Sequence, residues 1–359
     1  MESTGTGQDL QLTVGGLPAT ARWVPLAEGR AEILLTLPAS TPLGCYVPVQ
    51  IRYRQGLTGN TVTLPVAAPG LPCENKTLWP PSTTASKEPI GLLLLTRTNL
   101  LIELPGQSGV RIVDEEAALH FFTPVTSAQA PPVESLPPPG TCVTYHGLYQ
   151  PEFSLGKNLL QMLQGRLPGA LRDAGRSIAL QGPSGKATIP DEDGYFALIG
   201  GERPDYGRAA RPLFLASGEY VARALGGAQV GPFEAAFRMP QALEGRNFSS
   251  LGTIDRGRGA VVAWHGGARE SATYIIAVSV RHSTTAFGVA FCAVRAGLRE
   301  FRLPPEALAN LPETEQDTTM PLNLIFVLSM PAPTNFQAKG LREGFIVPIT
   351  VAGRNVNFR

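Results

Sequence analysis

The chain has 359 residues, of which 43% are hydrophobic and only 16% charged, against a usual charged share of about 25%. Its formal net charge is +1, and no basic run stands out, so the surplus of Lys and Arg that a nucleic-acid binder needs is missing. Gly and Pro, at 39 and 33 residues, break regular elements, so strands must be short and turns many, which favours β-sandwiches over helical bundles. Only five basic residues are lysine (Lys76, Lys87, Lys157, Lys186 and Lys339). The arginine excess reads as codon bias of a GC-rich genome and not as an electrostatic footprint.

The first stretch reads as strand, turn, strand. Leu10, Leu12 and Val14 alternate with polar neighbours, and Val14 to Pro18 is a turn. Ile33, Leu35 and Leu37 alternate again. Cys45, Val47, Val49, Ile51 and Tyr53 make a long period-2 run, and Val62, Leu64 and Val66 form a last strand. This period is that of half-buried antiparallel strands, and residues 1–73 are assigned to one small Ig-like sandwich.

Residues 75–89 are polar and rich in Pro, Ser and Thr, as a linker would be. Short apolar segments follow at Leu92 to Arg97, Leu100 to Leu104, Val110 to Val113 and Leu119 to Phe122. Leu92 to Leu95 shows no alternation and is expected to be covered on both faces. Residues 124–140 hold six prolines and read as an extended connector. Residues 74–140 are therefore assigned to a β-hairpin segment with a Pro-rich connector.

From Thr141 the β pattern resumes. Strands are expected at Thr141–Tyr145, Ser177–Gln181, Lys186–Ile189, Tyr195–Ile199, Glu219–Leu225, Phe233–Met239, Ala260–Trp264, Thr273–Val280, Ala286–Val294, Leu322–Leu328 and Gly344–Thr350. One helical stretch is expected at Leu155–Leu163 and a short turn at Pro304–Leu311. Residues 141–359 are assigned to a larger β-sandwich region, divisible at 240/241. The expected fold class is all-β: tandem Ig-like antiparallel β-sandwich modules with little helix.

Motifs for chemistry fail on spacing. No GxSxG occurs, and Gly182-Pro183-Ser184-Gly185 reads as a β-turn. Gly185-Lys186 is followed by Ala187, and Leu180 stands where a P-loop needs glycine. The four histidines, His120, His146, His265 and His282, form no HExxH. His265, in Trp264-His265-Gly266-Gly267, reads as a strand end. Asp191-Glu192-Asp193-Gly194 lacks the bidentate Glu of a calcium loop and reads as a hairpin turn. Asp255 to Gly259 is likewise a turn. The expectation is no catalytic residue, no cofactor and no metal.

Cys45, Cys73, Cys142 and Cys292 are widely spaced, with no CxxC. Four such cysteines suit two structural disulfides and an oxidising compartment, and they allow three connectivities. The N-terminal residues are polar, with neither a basic nor an apolar signal region, so an export signal would lie upstream of Met1. The longest apolar run, Ile90 to Ile102, is too short for a transmembrane helix.

Two stretches resemble a known family. Val14-Gly15-Gly16-Leu17-Pro18-Ala19, Leu37-Pro38-Ala39 and "PVQIRYRQGLTGNTVTL" resemble the uncharacterised C-terminal Ig-like β-domain of secreted proteins of Solibacter-type acidobacteria. Leu26-Ala27-Glu28-Gly29 departs from the turn usual there. Thr141 to Tyr145, Asp173-Ala174-Gly175, Asp193-Gly194-Tyr195, "LGTIDRGRGAVVAWHGG" and "FGVAFCAVRAGLREFRLPPEALANLP" resemble its companion β-rich region. Here Trp264-His265-Gly266-Gly267 stands in place of Trp-Thr/Ser-Gly-Gly. The resemblance implies a bacterial, secreted or cell-surface protein with bridges Cys45–Cys73 and Cys142–Cys292, and it assigns no activity. The sequons at Asn75 and Asn247 carry little weight in such a source.

The expected function is a non-catalytic extracellular structural or interaction protein, related to adhesion or matrix, with a protein or glycan partner. A carbohydrate-binding accessory module is the alternative, and would need Trp23, Trp79, Trp264 and Tyr149 on an exposed platform. A hydrolase is the second alternative, and would need His265, Asp255 and a Ser in hydrogen-bond reach.

Overall fold

The computed structural model describes residues 10–25, 31–53, 61–73, 88–103, 109–122, 137–148, 172–191, 196–203, 208–315 and 323–359. The N-terminal strands are β1 (Leu10–Val14), β2 (Leu17–Pro25), β3 (Ala31–Thr36), β4 (Gly44–Tyr53) and β5 (Val62–Val66). They form one antiparallel sheet in the order β3-β2-β1-β4-β5. β2 pairs β1 through Leu17 to Ala19 and β3 through Thr20 to Pro25. The sheet thereby turns over its own core of Leu12, Val14, Val47, Val49 and Val66. The turn expected over Val14 to Pro18 is confined to Gly15-Gly16, and Leu17 and Pro18 already belong to β2, a strand the sequence pattern does not show. Pro25 ends the strand and Pro18 lies beside its start, where a missing donor is tolerated.

The body follows. It contains β6 (Ile90–Ile102), β7 (Val110–Phe122), β8 (Cys142–Leu148), β9 (Ser177–Gly182), β10 (Gly185–Pro190), β11 (Phe196–Arg203), β12 (Arg208–Arg211), β13 (Gly218–Ala224), β14 (Phe233–Met239), β15 (Glu244–Gly245) and β16 (Thr253–Ile254). It continues with β17 (Ala260–His265), β18 (Ala272–Arg281), β19 (Ala286–Val294), β20 (Glu300–Leu303), α1 (Pro305–Leu308), β21 (Leu324–Met330), β22 (Thr334–Phe336), β23 (Glu343–Asn355) and β24 (Asn357–Phe358). α1 is a single turn, so the fold is all-β among the described residues, built of sandwich layers that are antiparallel except where β23 pairs β6 and β24 pairs β16. The helix expected at Leu155–Leu163 lies outside the described residues.

The centre is a ten-stranded sheet, β12-β11-β7-β6-β23-β21-β18-β19-β8, with β22 also on β23. β6 and β7 are each 13 residues long, where the sequence pattern gave four short segments. The gaps fall at Thr98-Asn99 on β6 and at Asp114 to Ala118 on β7; both stretches run on as regular ladder, with Arg97 opposite Glu115. β23 lies parallel to β6, from Glu343 beside Ile90 to Arg354 beside Leu101. The hairpin within 74–140 is thus held between β11 and the C-terminal strand, and strand pairing crosses the division placed at 140/141.

Leu92 to Leu95 are all buried, as the unbroken apolar run implies. Leu93 and Leu95 pack with Ile178, Leu180, Tyr220 and Phe237 of the four-stranded sheet β10-β9-β13-β14. Leu92 and Leu94 face the other way, with Phe345, Val347 and Tyr274. Further along the first face, Ile275, Val327 and Ala352 pack under Trp264, Leu303 and Phe358. The strands covering them form the small sheets β15-β17-β20 and β16-β24.

Candidate functional site

The structure joins Cys45 to Cys73 and Cys142 to Cys292, the pairing that the resemblance implies. Cys142 stands directly opposite Cys292 on neighbouring strands of one sheet, with Cα atoms 4.0 Å apart. Antibody-type domains place their bridge between sheets; here it lies within one. It continues a row across the sheet through Ile275, Val327 and Ala352.

Both bridges adjoin the contact between the N-terminal sheet and the body. β8 is an edge strand, and its Thr144 N–H donates to Thr61 Oγ1 at 3.0 Å. The two hydroxyls are 2.9 Å apart, and the Gln50 amide reaches Thr61 at 3.1 Å and Thr144 at 3.3 Å. Thr144 is fully buried. Gly44, next to Cys45, abuts Pro138: a Cβ there would lie 2.9 Å from the proline ring. The N-terminal sheet thus caps an edge that would otherwise offer unpaired backbone groups.

The densest buried charge lies on β7. Asp114, Glu115 and Glu116 are 3%, 0% and 5% exposed. Glu115 Oε2 accepts the N–H of Leu215 at 2.9 Å and also the N–H of Phe214. Its Oε1 faces Arg97 at 3.6 Å, and Arg97 donates to Leu215 O at 2.9 Å. The Tyr220 hydroxyl lies 2.7 Å from Phe214 O and 3.0 Å from Ala216 O. Burial, and then the negative Glu115, push the Tyr220 phenol up to about 12. Gly200 has to be glycine, since a Cβ would strike Glu115 Oε2. The chemistry available to this group is anchoring: carboxylate, guanidinium and phenol all hold the backbone of residues 214–216.

A second buried charge does the same elsewhere. Arg354 is 1% exposed. It donates to Glu103 Oε2 at 2.6 Å, to Asn355 O at 2.8 Å and to Phe248 O. At the surface, Asp173 accepts the N–H groups of Gly175 at 2.7 Å and Ala228 at 2.8 Å. These backbone donors hold its carboxyl below the usual range.

The residues tested for chemistry are dispersed. Asp255 accepts the Gly257 N–H and pairs with Arg258 in the turn that opens β17. His265 is exposed at the far end of that strand, about 17 Å of extended chain away. The hydrolase grouping of these two is therefore not formed. Trp264 is fully buried in the core and cannot serve on an exposed platform. The side chain of Trp23, and Trp79 and Tyr149, lie outside the described residues. Asn247 uses both ends of its carboxamide, on Val261 O at 2.8 Å and the Ala263 N–H at 3.0 Å. Pro183-Ser184 is the turn between β9 and β10. Glu192 to Gly194 lie outside the described residues, as does the sequon at Asn75.

The Glu115 cluster was missed because an acidic triplet reads as a break. One signal could have found it: pairing the two apolar runs from Ile102 opposite Val110 puts Arg97 across from Glu115.

No protein-family model matches the chain, and no curated protein matches it. Among solved structures it is similar to the N-terminal four Ig domains of Dscam1 isoform 4.44, at 10% identity over 98% of this chain and 66% of that one, with a TM-score of 0.16. It is also similar to those of isoform 9.44 (with zinc), at 9% identity over 99% and 93%, with a TM-score of 0.17. A tetra-tandem repeat from the extending region of a large adhesion protein shows 10% identity over 98% and 93%, with a TM-score of 0.15. Likenesses this low carry no argument about fold or function. Among the described residues no helix is long and apolar enough to cross a membrane.

Proposed function

We propose that the chain is a non-catalytic structural or interaction protein that acts outside the cytoplasm, as a relative of the secreted acidobacterial β-domain proteins it resembles. The observation that carries this is where the buried charges go. Glu115 holds the Leu215 N–H and Arg354 the Phe248 carbonyl, each the backbone of another segment, whereas catalytic groups converge on a cleft. The two disulfides suit an oxidising compartment. Loops carried by rigid sandwiches are the usual place for recognition.

The test uses the oxidatively folded full chain. Its mass after alkylation, with and without prior reduction, counts free thiols; two bridges are expected. The same material is screened for binding to cell-wall polysaccharide and envelope proteins, and for turnover of chromogenic esters and glycosides. Saturable binding without turnover supports the reading. Turnover that survives repurification, or four free thiols, overturns it.

A further inference from the structure

Among the described residues the strand edges are guarded, with one weak exception. β8 is capped by Thr61. β5 carries Pro65, β10 carries Lys186 and ends on Pro190, and β12 has four residues bounded by Arg208 and Arg211. β14 packs against β22 and β23. β20 carries Glu300 and Arg302 in four residues, and β15, β16 and β24 are two residues long. Such devices keep edges from pairing with other chains. β3 has only Glu32: it is six residues, AEILLT, without Pro, Lys, Arg or a register shift against β2. Among the described residues nothing pairs its outer side. Leu34 on it is 46% exposed, and Leu37 just beyond it is 42% exposed.

We infer that β3 is a homotypic pairing edge, joining a second copy of this chain antiparallel about a two-fold axis at Leu34. The argument for a second copy is self-complementarity. Facing residues in an antiparallel pair share a face. With Leu34 opposite Leu34 of the other copy, Ile33 meets Leu35 on the inner face and Glu32 meets Thr36 on the outer. Each leucine and isoleucine thus meets an apolar partner, and the only charge, Glu32, meets Thr36 and never its like. An interface that matches itself residue for residue is what a closed two-fold dimer requires. The pairing would continue the five-stranded sheet into the partner's sheet, away from the β5 side that docks on the body. This goes beyond the proposed function: a monomer can still bind a foreign partner, and a dimer need bind none, so the two readings fail separately.

The test is sedimentation of the disulfide-intact full chain from low micromolar to several hundred micromolar, alongside Leu34→Lys, with oxidative cross-linking of Leu34→Cys and Thr36→Cys. The wild type is expected to shift from 38.1 kDa toward twice that mass. Leu34→Lys, which sets two ammonium groups face to face, is expected to weaken dimerisation by about tenfold or more. Leu34→Cys is expected to cross-link between copies readily, and Thr36→Cys, whose opposite number is Glu32, poorly. A wild type that stays monomeric over the whole range overturns the inference. So does a dimer that survives Leu34→Lys with equal cross-linking of the two cysteine variants, because pairing is then elsewhere. If Leu34→Lys fails to fold, the ratio of the two cross-linking yields decides. Binding of a foreign extended peptide to β3 by a strictly monomeric chain also overturns it.

Discussion

The N-terminal sheet and the body solve the same problem with different means. The N-terminal sheet buries five apolar side chains and, among the described residues, no ionisable one. Its staple, Cys45–Cys73, spans 28 residues. The body stacks apolar clusters on both faces of a ten-stranded sheet and buries Glu115 and Arg354 inside them. The comparison teaches that buried charge is carried where dense layers surround it and where each charge ties down a backbone segment. A thin core instead leans on a covalent link and on docking.

The body's own bridge gives the largest expected effect. Removing Cys142–Cys292 by a double Ser substitution frees a separation of 150 residues, costing about 5 kcal/mol in the chain-entropy description, against about 3.5 for the shorter bridge. Calorimetry on the two double variants should show the first lowering the body's transition and the second that of the N-terminal sheet. Equal shifts of a single transition would erase the distinction.

Glu115→Ala is expected next, at about 3–5 kcal/mol, because it leaves the two buried N–H groups of Phe214 and Leu215 without their acceptor and takes the counter-charge from the half-buried Arg97. Denaturant melts should register it in the body alone, and hydrogen exchange should rise at Phe214 to Ala216. A change below about 1 kcal/mol would show that the carboxylate anchors nothing.

Thr61→Val removes the hydroxyl that accepts the Thr144 N–H, at about 1–3 kcal/mol for an orphaned buried donor. It is expected to uncouple the two regions, so that their melting transitions move apart. Coincident transitions in the variant would mean that the hydroxyl contact does not couple them.

The smallest effects are set by pH. Tyr220 and Tyr274 are both raised to about 12, chiefly by burial. A phenol that holds its proton more tightly when folded contributes stability below its unfolded value near 10, and loses it as pH rises from there to about 12. Alkaline melting should be shallower in Tyr220→Phe. At the acid end, Asp173 is lowered by backbone donors, so its contribution is present above its ordinary value and fades as pH falls through the lowered one. An Asp173→Asn variant that keeps the wild-type acid dependence would remove that assignment.

Much of this was legible in period and turn chemistry. Strands such as β13 and β14 alternate in sequence as they alternate in burial, and Leu92 to Leu95 announced their two-sided cover. β2 was not legible, because its prolines sit at the ends of a strand whose partners change halfway. The candidate site was least legible of all. Glu115 reads as solvated until Arg97 and residues 214–216 are seen around it.

By itself the sequence determined the all-β class, because alternation at period two and the density of Gly and Pro are local properties of the chain. It also bounded the cysteines to three connectivities. Tertiary structure decided the rest. β23 comes to lie parallel to β6 across some 250 residues of chain, and Cys142 comes to face Cys292 within one sheet. Glu115, in the middle of an acidic triplet, becomes the anchor of the backbone at Phe214 and Leu215. The physical reason is the same each time: strand partners and the neighbours of a buried charge are set by long-range packing, whose register no local pattern encodes.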